Sequence, residues 1–116
     1  IIDACDSMEA KILLIKQARL NNIKIISSLS VGKRIDPNQL IITSLNNTFN
    51  DPLAKKFRKT LKSENIDLNI KVLFSKELPL KGDKIFSYMP VVSIAGIKIA
   101  DYVVKDLINE YRTNKK

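Results

Sequence analysis

Ile1-Ile2-Asp3-Ala4-Cys5-Asp6-Ser7 opens the chain, and the stretch Met8–Asn21 follows it directly. Ile1–Cys5 reads as a short buried strand, because an apolar run this brief, closed by polar residues, fits a strand covered on both faces. The next stretch reads as a helix. Asp6 and Ser7 are both good caps, and Asp6 with Glu9 has the spacing of a capping box. Ile12, Leu14, Ile15 and Ala18 form a wide apolar stripe for packing on a sheet. Asn21-Asn22 ends the helix, and Ile23–Ser27 reads as a second strand. Strand, helix and strand make a right-handed βαβ unit with parallel strands, which places the chain in the α/β class.

Outward from that unit, Ser27–Lys33 is small and polar, contains Gly32, and reads as a loop. Arg34-Ile35 leads into a turn at Asp36-Pro37-Asn38-Gln39. Leu40–Thr43 then reads as a strand, and the short turn before it implies antiparallel pairing, so the sheet is expected to be mixed. Asn50-Asp51-Pro52 announces a second helix, with an acidic cap and proline at the first helical position. Leu53, Ala54, Phe57 and Leu61 define its buried face, and Lys55, Lys56, Arg58, Lys59 and Lys62 cover the rest. That basic face fits either a solvated helix surface or a patch that contacts phosphates. Ile70–Ser75 reads as a further strand, and Glu77–Asp83 as a flexible loop, with Lys76, Lys81 and Lys84 in or beside it. A third helix is expected over Val92–Tyr111. Ala95-Gly96 near its start would admit another backbone, and Ile99, Ala100, Val103, Val104 and Leu107 form its core stripe. Arg112–Lys116 reads as a frayed basic tail.

Composition narrows the chemistry. The 116 residues suffice for one domain and are too few for two, with 45% apolar and 28% charged residues. No apolar run approaches the ~20 residues that span a bilayer, and no basic lead-in of a secretory signal is visible. Cys5 is the only cysteine and histidine is absent, so the chain itself cannot assemble a disulfide framework, a Cys/His zinc site or a Ser-His-Asp triad. A reducing, cytoplasmic setting fits that cysteine usage. Carboxylate binding of a Mg²⁺-like ion remains open. The net charge of +8 suits a polyanionic partner, although lysine-rich usage throughout the chain produces the same balance.

Ligands of open parallel sheets collect beyond the carboxyl ends of strands. Asp6 stands at such an end, where a carboxylate can hold Mg²⁺ on a nucleotide phosphate or simply cap the helix. Asp3 lies within the strand and must find a donor if buried. Cys5, between apolar neighbours, reads as a core residue and not a nucleophile. No glycine-rich phosphate loop occurs, because Gly32, Gly82 and Gly96 are far apart.

Several segments in order carry a resemblance. Ile2-Asp3-Ala4-Cys5-Asp6-Ser7, with Lys11 after it, resembles the Val-Asp-Ala-x-Asp-Ser segment of the ThiF/MoeB/HesA superfamily, bacterial relatives of ubiquitin-activating enzymes. Ile35-Asp36-Pro37 keeps the spacing. Asp51–Lys62 is similar to the Asp-Pro-Leu-Ala helix of one branch, the tRNA threonylcarbamoyladenosine dehydratases. Val72–Glu77 resembles that family's strand end, and Ser87–Val92 with Ala95-Gly96 its final loop and helix. The chain departs from the pattern at Ser28–Lys33, where the dehydratases carry a glycine-rich stretch. It also lacks the paired Cys-x-x-Cys zinc ligands common in the sulfur-carrier activators.

The resemblance implies that residues 1–116 form the C-terminal part of a Rossmann-like adenylating domain: a mixed sheet with three main helices, the ATP-loop half lying upstream. It implies a catalyst that adenylates a carboxylate with Mg-ATP, here the threonylcarbamoyl group on an adenosine beside the tRNA anticodon, which then cyclises. Asp6 maps onto the family's Mg-ATP residue, with Ser7 and Lys11 beside it on the nucleotide side. Lys55, Lys56, Arg58, Lys59, Lys62, Lys81 and Lys84 are the candidate tRNA contacts. The expected partners are tRNA and a second copy of the chain, with no membrane. Two alternatives stand beside this: an activator of a ubiquitin-like sulfur-carrier protein, and a non-catalytic RNA-binding or dimerisation module. The 116 residues alone are expected neither to bind ATP nor to turn over substrate.

Overall fold

The computed structural model describes residues 1–115. In chain order the elements are β1 (Ile2–Asp3), α1 (Met8–Leu20), β2 (Ile26–Ser28), β3 (Leu40–Ser44), α2 (Pro52–Ser63), β4 (Lys71–Ser75) and α3 (Met89–Asn114), with short 3-10 turns at Pro37–Gln39 and Leu45–Asn47. The sheet order is β1-β2-β4-β3. β1 pairs parallel with β2 (Asp3 opposite Ser27), and β2 pairs parallel with β4 (Ser28 opposite Leu73). β3 runs antiparallel to β4, from Leu40 opposite Ser75 to Ser44 opposite Lys71. The mixed α/β sheet with three helices is therefore as expected. The antiparallel partner is β4 rather than β2, because β1 and β4 already occupy the two edges of β2. The chain from Leu29 to Gln39 instead crosses to the far edge of β4, where Gln39 O accepts from Lys76 N at 2.9 Å.

Two apolar layers sandwich the sheet. On one side Ile12 and Ile15 of α1 and Ala54, Phe57 and Leu61 of α2 pack on Val72 and Phe74. On the other, Val91, Ala95 and Ile99 of α3 cover Ile26, Leu40 and Leu73. α2 forms where its local signals place it: the Asp51 carboxylate accepts from Leu53 N (2.9 Å) and Ala54 N (3.1 Å), satisfying two amides that have no partner within the helix. Ser7, not Asp6, caps α1 by accepting from Ala10 N at 3.3 Å.

Several local expectations change. β1 is only two residues long and half of it faces solvent: Ile2 is 51% exposed while Asp3 is buried. Ile23 and Lys24 lie outside β2 and are exposed, because a turn follows α1 before pairing begins. α3 starts earlier and runs further than expected. Its 26 residues span about 39 Å, whereas a five-residue strand covers about 17 Å. Its second half therefore overhangs the sheet, and Val104 and Leu107 stay exposed instead of completing a core stripe. Among the described residues no neighbour comes within 4 Å of where a Cβ on Gly96 would stand. The tail expected from Arg112 is helical to Asn114, and Lys116 lies outside the described residues.

Phe57 is fully buried at the centre of the α2 layer. Phe57→Ala is expected to lower unfolding free energy by about 3–5 kcal/mol in denaturant titration, with an unchanged far-ultraviolet spectrum in the folded baseline.

Candidate nucleotide-side corner

The corner where β1 passes into α1 is built on a buried ion pair. A carboxylate buried in the sheet is costly without donors, and Asp3 finds two. Its Oδ1 accepts from Cys5 N at 2.9 Å, and its Oδ2 accepts from Lys11 Nζ at 3.1 Å. Lys11 also donates to Ser28 O at 2.8 Å, at the end of β2. Both side chains are shut off from water, at 0% and 1% exposure. Such a pair is costly to desolvate, so its contribution is to geometry more than to net stability. It ties the ends of two strands and the second turn of α1 to one point. The turn that Asp3 makes with Cys5 N then carries the chain out of the sheet.

Beyond that turn lie Cys5, Asp6 and Ser7, all exposed. Cys5 is thus not a core residue, because the turn has already left the sheet. Its thiol is pushed above the ordinary range, first by the neighbouring Asp3 carboxylate as a hydrogen-bond acceptor and then by desolvation and nearby negative charge. That discourages the thiolate and supports no nucleophilic role. With Ser7 as the cap, the Asp6 carboxylate makes no side-chain hydrogen bond or ion pair among the described residues. It stands free at the carboxyl end of β1, beside the amides of the first turn of α1. No group of three or more Cys, Asp or Glu side chains placed to hold a metal exists among the described residues. Asp6 therefore fits an ion that takes one protein carboxylate and completes its shell from phosphate oxygens and water, the usual habit of Mg²⁺. Lys11 does not reach that position, because its ammonium is buried against Asp3 and Ser28. The expected place of Lys11 on the nucleotide side is therefore met by a buried ammonium that joins β1, α1 and β2.

The basic candidates separate. Lys55, Lys56, Lys59 and Lys62 are exposed on α2, and none takes part in an ion pair among the described residues. Arg58 is instead half-buried and donates to Thr48 O at 3.2 Å and to Thr48 Oγ1, tying α2 to the segment before it. Lys81 and Lys84 are exposed in the segment between β4 and α3.

A second buried cation, Arg34, had no signal in the sequence beyond its place before Asp36-Pro37. It is 1% exposed and donates to Ser30 O, Gly32 O, Asn50 O and Glu77 O. Burial pulls its guanidinium below the ordinary arginine range, and the nearby Asp51 and Glu77 carboxylates oppose that shift.

The mixed four-stranded sheet with helices on both faces is the α/β architecture that the resemblance to the ThiF/MoeB type implies. No family model matches the chain. A curated relative, the tRNA threonylcarbamoyladenosine dehydratase of Bacillus subtilis (strain 168), is 30% identical over 95% of this chain and 51% of its own length. The crystal structure of the E. coli tRNA N6-threonylcarbamoyladenosine dehydratase in complex with AMP superposes with a TM-score of 0.87 at 30% identity, covering 97% of this chain and 49% of that one. The same E. coli protein in complex with ATP gives a TM-score of 0.87 at 29% identity, again over 97% and 49%. The chain is thus similar over nearly its whole length to proteins named tRNA threonylcarbamoyladenosine dehydratase, and it spans about half the length of the relatives it matches.

Removing one member of the buried pair leaves the other charge uncompensated. Lys11→Met or Asp3→Asn alone is expected to cost about 3–5 kcal/mol in denaturant titration. The double variant should recover most of that loss, and strictly additive losses would show that the two charges do not depend on each other.

Proposed function

We propose that this chain supplies the C-terminal half of an ATP-dependent tRNA threonylcarbamoyladenosine dehydratase. Support comes first from the superposition over 97% of the chain on an enzyme of that name solved with ATP and with AMP. In this reading the threonylcarbamoyl carboxylate of the RNA displaces pyrophosphate from ATP. Ring closure then displaces AMP, so that the nucleoside loses the elements of water. Both ATP and AMP are ligands such a cycle requires.

The chain's own residues have limited and specific work in it. Asp6 would hold Mg²⁺ against the nucleotide phosphates, where the ion neutralises charge that builds up as the α-phosphate is attacked. Ser7 fixes the first turn of α1, whose free amides favour an anion at that end. Asp3 and Lys11 fix the turn that precedes Asp6. The remaining phosphate contacts belong to residues outside this chain, since no glycine-rich loop is present in it.

The lysines of α2 extend the reading to RNA. Lys55, Lys59 and Lys62 recur at four- and three-residue spacing along one helix face, and Lys56 lies beside them. The Asp51-capped start of α2 lies close to the carboxyl end of β4, because Asn50 Nδ2 donates to Lys76 O at 2.9 Å. The basic face therefore leads away from the same end of the sheet as Asp6, and Lys81 and Lys84 add charge from the neighbouring segment. Phosphate contacts of this kind orient an RNA without reading its sequence. A homodimer in the cytoplasm completes the reading, supported by the apolar residues that α3 leaves exposed. No helix among the described residues is long and apolar enough to cross a membrane.

The test is the product of the full-length protein incubated with ATP, Mg²⁺ and tRNA bearing threonylcarbamoyladenosine. AMP and pyrophosphate should appear together with a nucleoside lighter by one water. Asp6→Asn should lower kcat on the order of 10²-fold with little change in stability. Adenylation of a small carrier protein without any change in the RNA would reverse the assignment.

A further inference from the structure

We propose that Arg34 is a positioning residue that holds the loop after β2 as the second wall of the substrate site. The proposal rests on the reading above, because it assigns the wall to the RNA-side substrate of that same site. Four backbone carbonyls converge on one guanidinium: Nε donates to Glu77 O (3.1 Å), Nη1 to Ser30 O (2.7 Å) and Gly32 O (3.3 Å), and Nη2 to Asn50 O (3.1 Å). They come from three separate segments: the loop after β2, the approach to α2, and the segment after β4. No carboxylate accepts a hydrogen bond from this side chain among the described residues. Its charge is met by carbonyl dipoles, with Asp51 and Glu77 acting through space.

Glu77 completes the fastening from the other direction. Its carboxylate accepts from Ile35 N (3.1 Å) and Asp36 N (2.9 Å). Thus the Arg34 side chain holds the Glu77 backbone, and the Glu77 side chain holds the backbone just after Arg34. Lys33 stands in the left-handed region at φ 61°, a conformation that a lysine keeps only when its surroundings enforce it. Its N–H donates to Phe86 O at 3.0 Å, its carbonyl accepts from Leu80 N at 2.8 Å, and its ammonium donates to Gly82 O at 2.6 Å. Four consecutive residues, Lys33 to Asp36, are therefore bonded into the segment that precedes α3.

The position of this fastening gives it a role in the reaction. Ser28 O is gripped by Lys11, which sets the Asp6 corner, and Ser30 O and Gly32 O are gripped by Arg34. One short loop is thus anchored at both ends, first to the nucleotide side and then to the α2 side. It lies at the carboxyl end of β2, next to the carboxyl end of β1 where Asp6 stands. Nucleotide phosphates fall to the β1–α1 corner, so this neighbouring wall falls to the second substrate. Lysine cannot replace Arg34 here, since its donors radiate from a single atom and cannot span carbonyls from three segments.

The experiment compares wild type, Arg34→Ala and Arg34→Lys as full-length proteins. Steady-state AMP release is measured against ATP and against modified tRNA, with millimolar guanidinium or the same concentration of urea. Arg34→Ala should raise KM for tRNA and lower kcat, each by about tenfold, while KM for ATP stays within about twofold. Guanidinium should restore much of the loss, urea should not, and Arg34→Lys should behave like the alanine variant. Backbone amide exchange at Lys33, Ile35, Asp36 and Leu80 should accelerate in Arg34→Ala and slow again with guanidinium. Wild-type kinetics in Arg34→Ala, or parallel losses for ATP and tRNA that guanidinium does not reverse, would overturn the proposal. Failure of the wild type to process tRNA would instead remove the functional reading. The exchange measurement would still decide the fastening: unchanged protection of Ile35 and Asp36 in Arg34→Ala contradicts it.

Discussion

A lysine ammonium and an aspartate carboxylate, both sealed from water, join the first strand, the first helix and the second strand of this protein. The Asp3–Lys11 pair is 3.1 Å long, and the second bond of Lys11 to Ser28 O extends it across the sheet. Burying two charges is unfavourable unless the geometry repays it, so the pair tolerates little displacement of the parts it connects. That intolerance is its value. The end of β1 has one exit from the sheet, and the next polar residues, Asp6 and Ser7, are placed by it. Ser7 takes the helix cap and Asp6 is left free. A free carboxylate at the end of a parallel strand, next to a helix amino terminus, is chemically suited to an ion carried by a nucleotide.

The second buried cation works on the same principle with different partners. Lys11 is satisfied by one carboxylate and one carbonyl, whereas Arg34 gathers four carbonyls and faces its acids through space. Both grip the loop after β2. This loop, Ser28-Leu29-Ser30-Val31-Gly32-Lys33, is where the resemblance to the dehydratases implies a departure from a glycine-rich stretch. Leu29 turns into the core and its N–H bonds Leu73 O at 2.9 Å, so the departure is not a loss of order. The non-glycine residues are accommodated because side chains from outside the loop bind its carbonyls.

What the sequence revealed, and what it hid, follows the range of the interactions involved. α2 was legible because its cap, its proline and the recurrence of Leu53, Phe57 and Leu61 all lie within a dozen residues. The need of Asp3 for a donor was legible from the cost of burying a carboxylate. The donor itself had a signal that went unused: Lys11 shares a helix face with Ile15 and Ala18, at four- and seven-residue spacing, so a lysine was aimed at the sheet. The place of β3 across β4 was not legible, because pairing between strands 27 residues or more apart leaves no local mark. The overhang of α3 depends on the length of the sheet, which a heptad stripe cannot report. Arg34 was invisible for the same reason, since its acceptors run from Ser30 to Glu77. The ordered resemblance to the dehydratases supplied the family where local physics supplied only the class.

The decisive measurement is the position of the metal–nucleotide complex relative to the Asp3–Lys11 corner. Two-dimensional NMR of the full-length protein with Mn²⁺·ATP in place of Mg²⁺·ATP reports this directly, because the paramagnetic ion broadens nearby amide signals. The expected result is loss of the Cys5, Asp6 and Ser7 signals while those of Lys105–Arg112, on the overhanging end of α3, stay sharp. Binding of Mn²⁺·ATP that leaves the Asp6 and Ser7 signals sharp would contradict the assignment of this corner to the nucleotide.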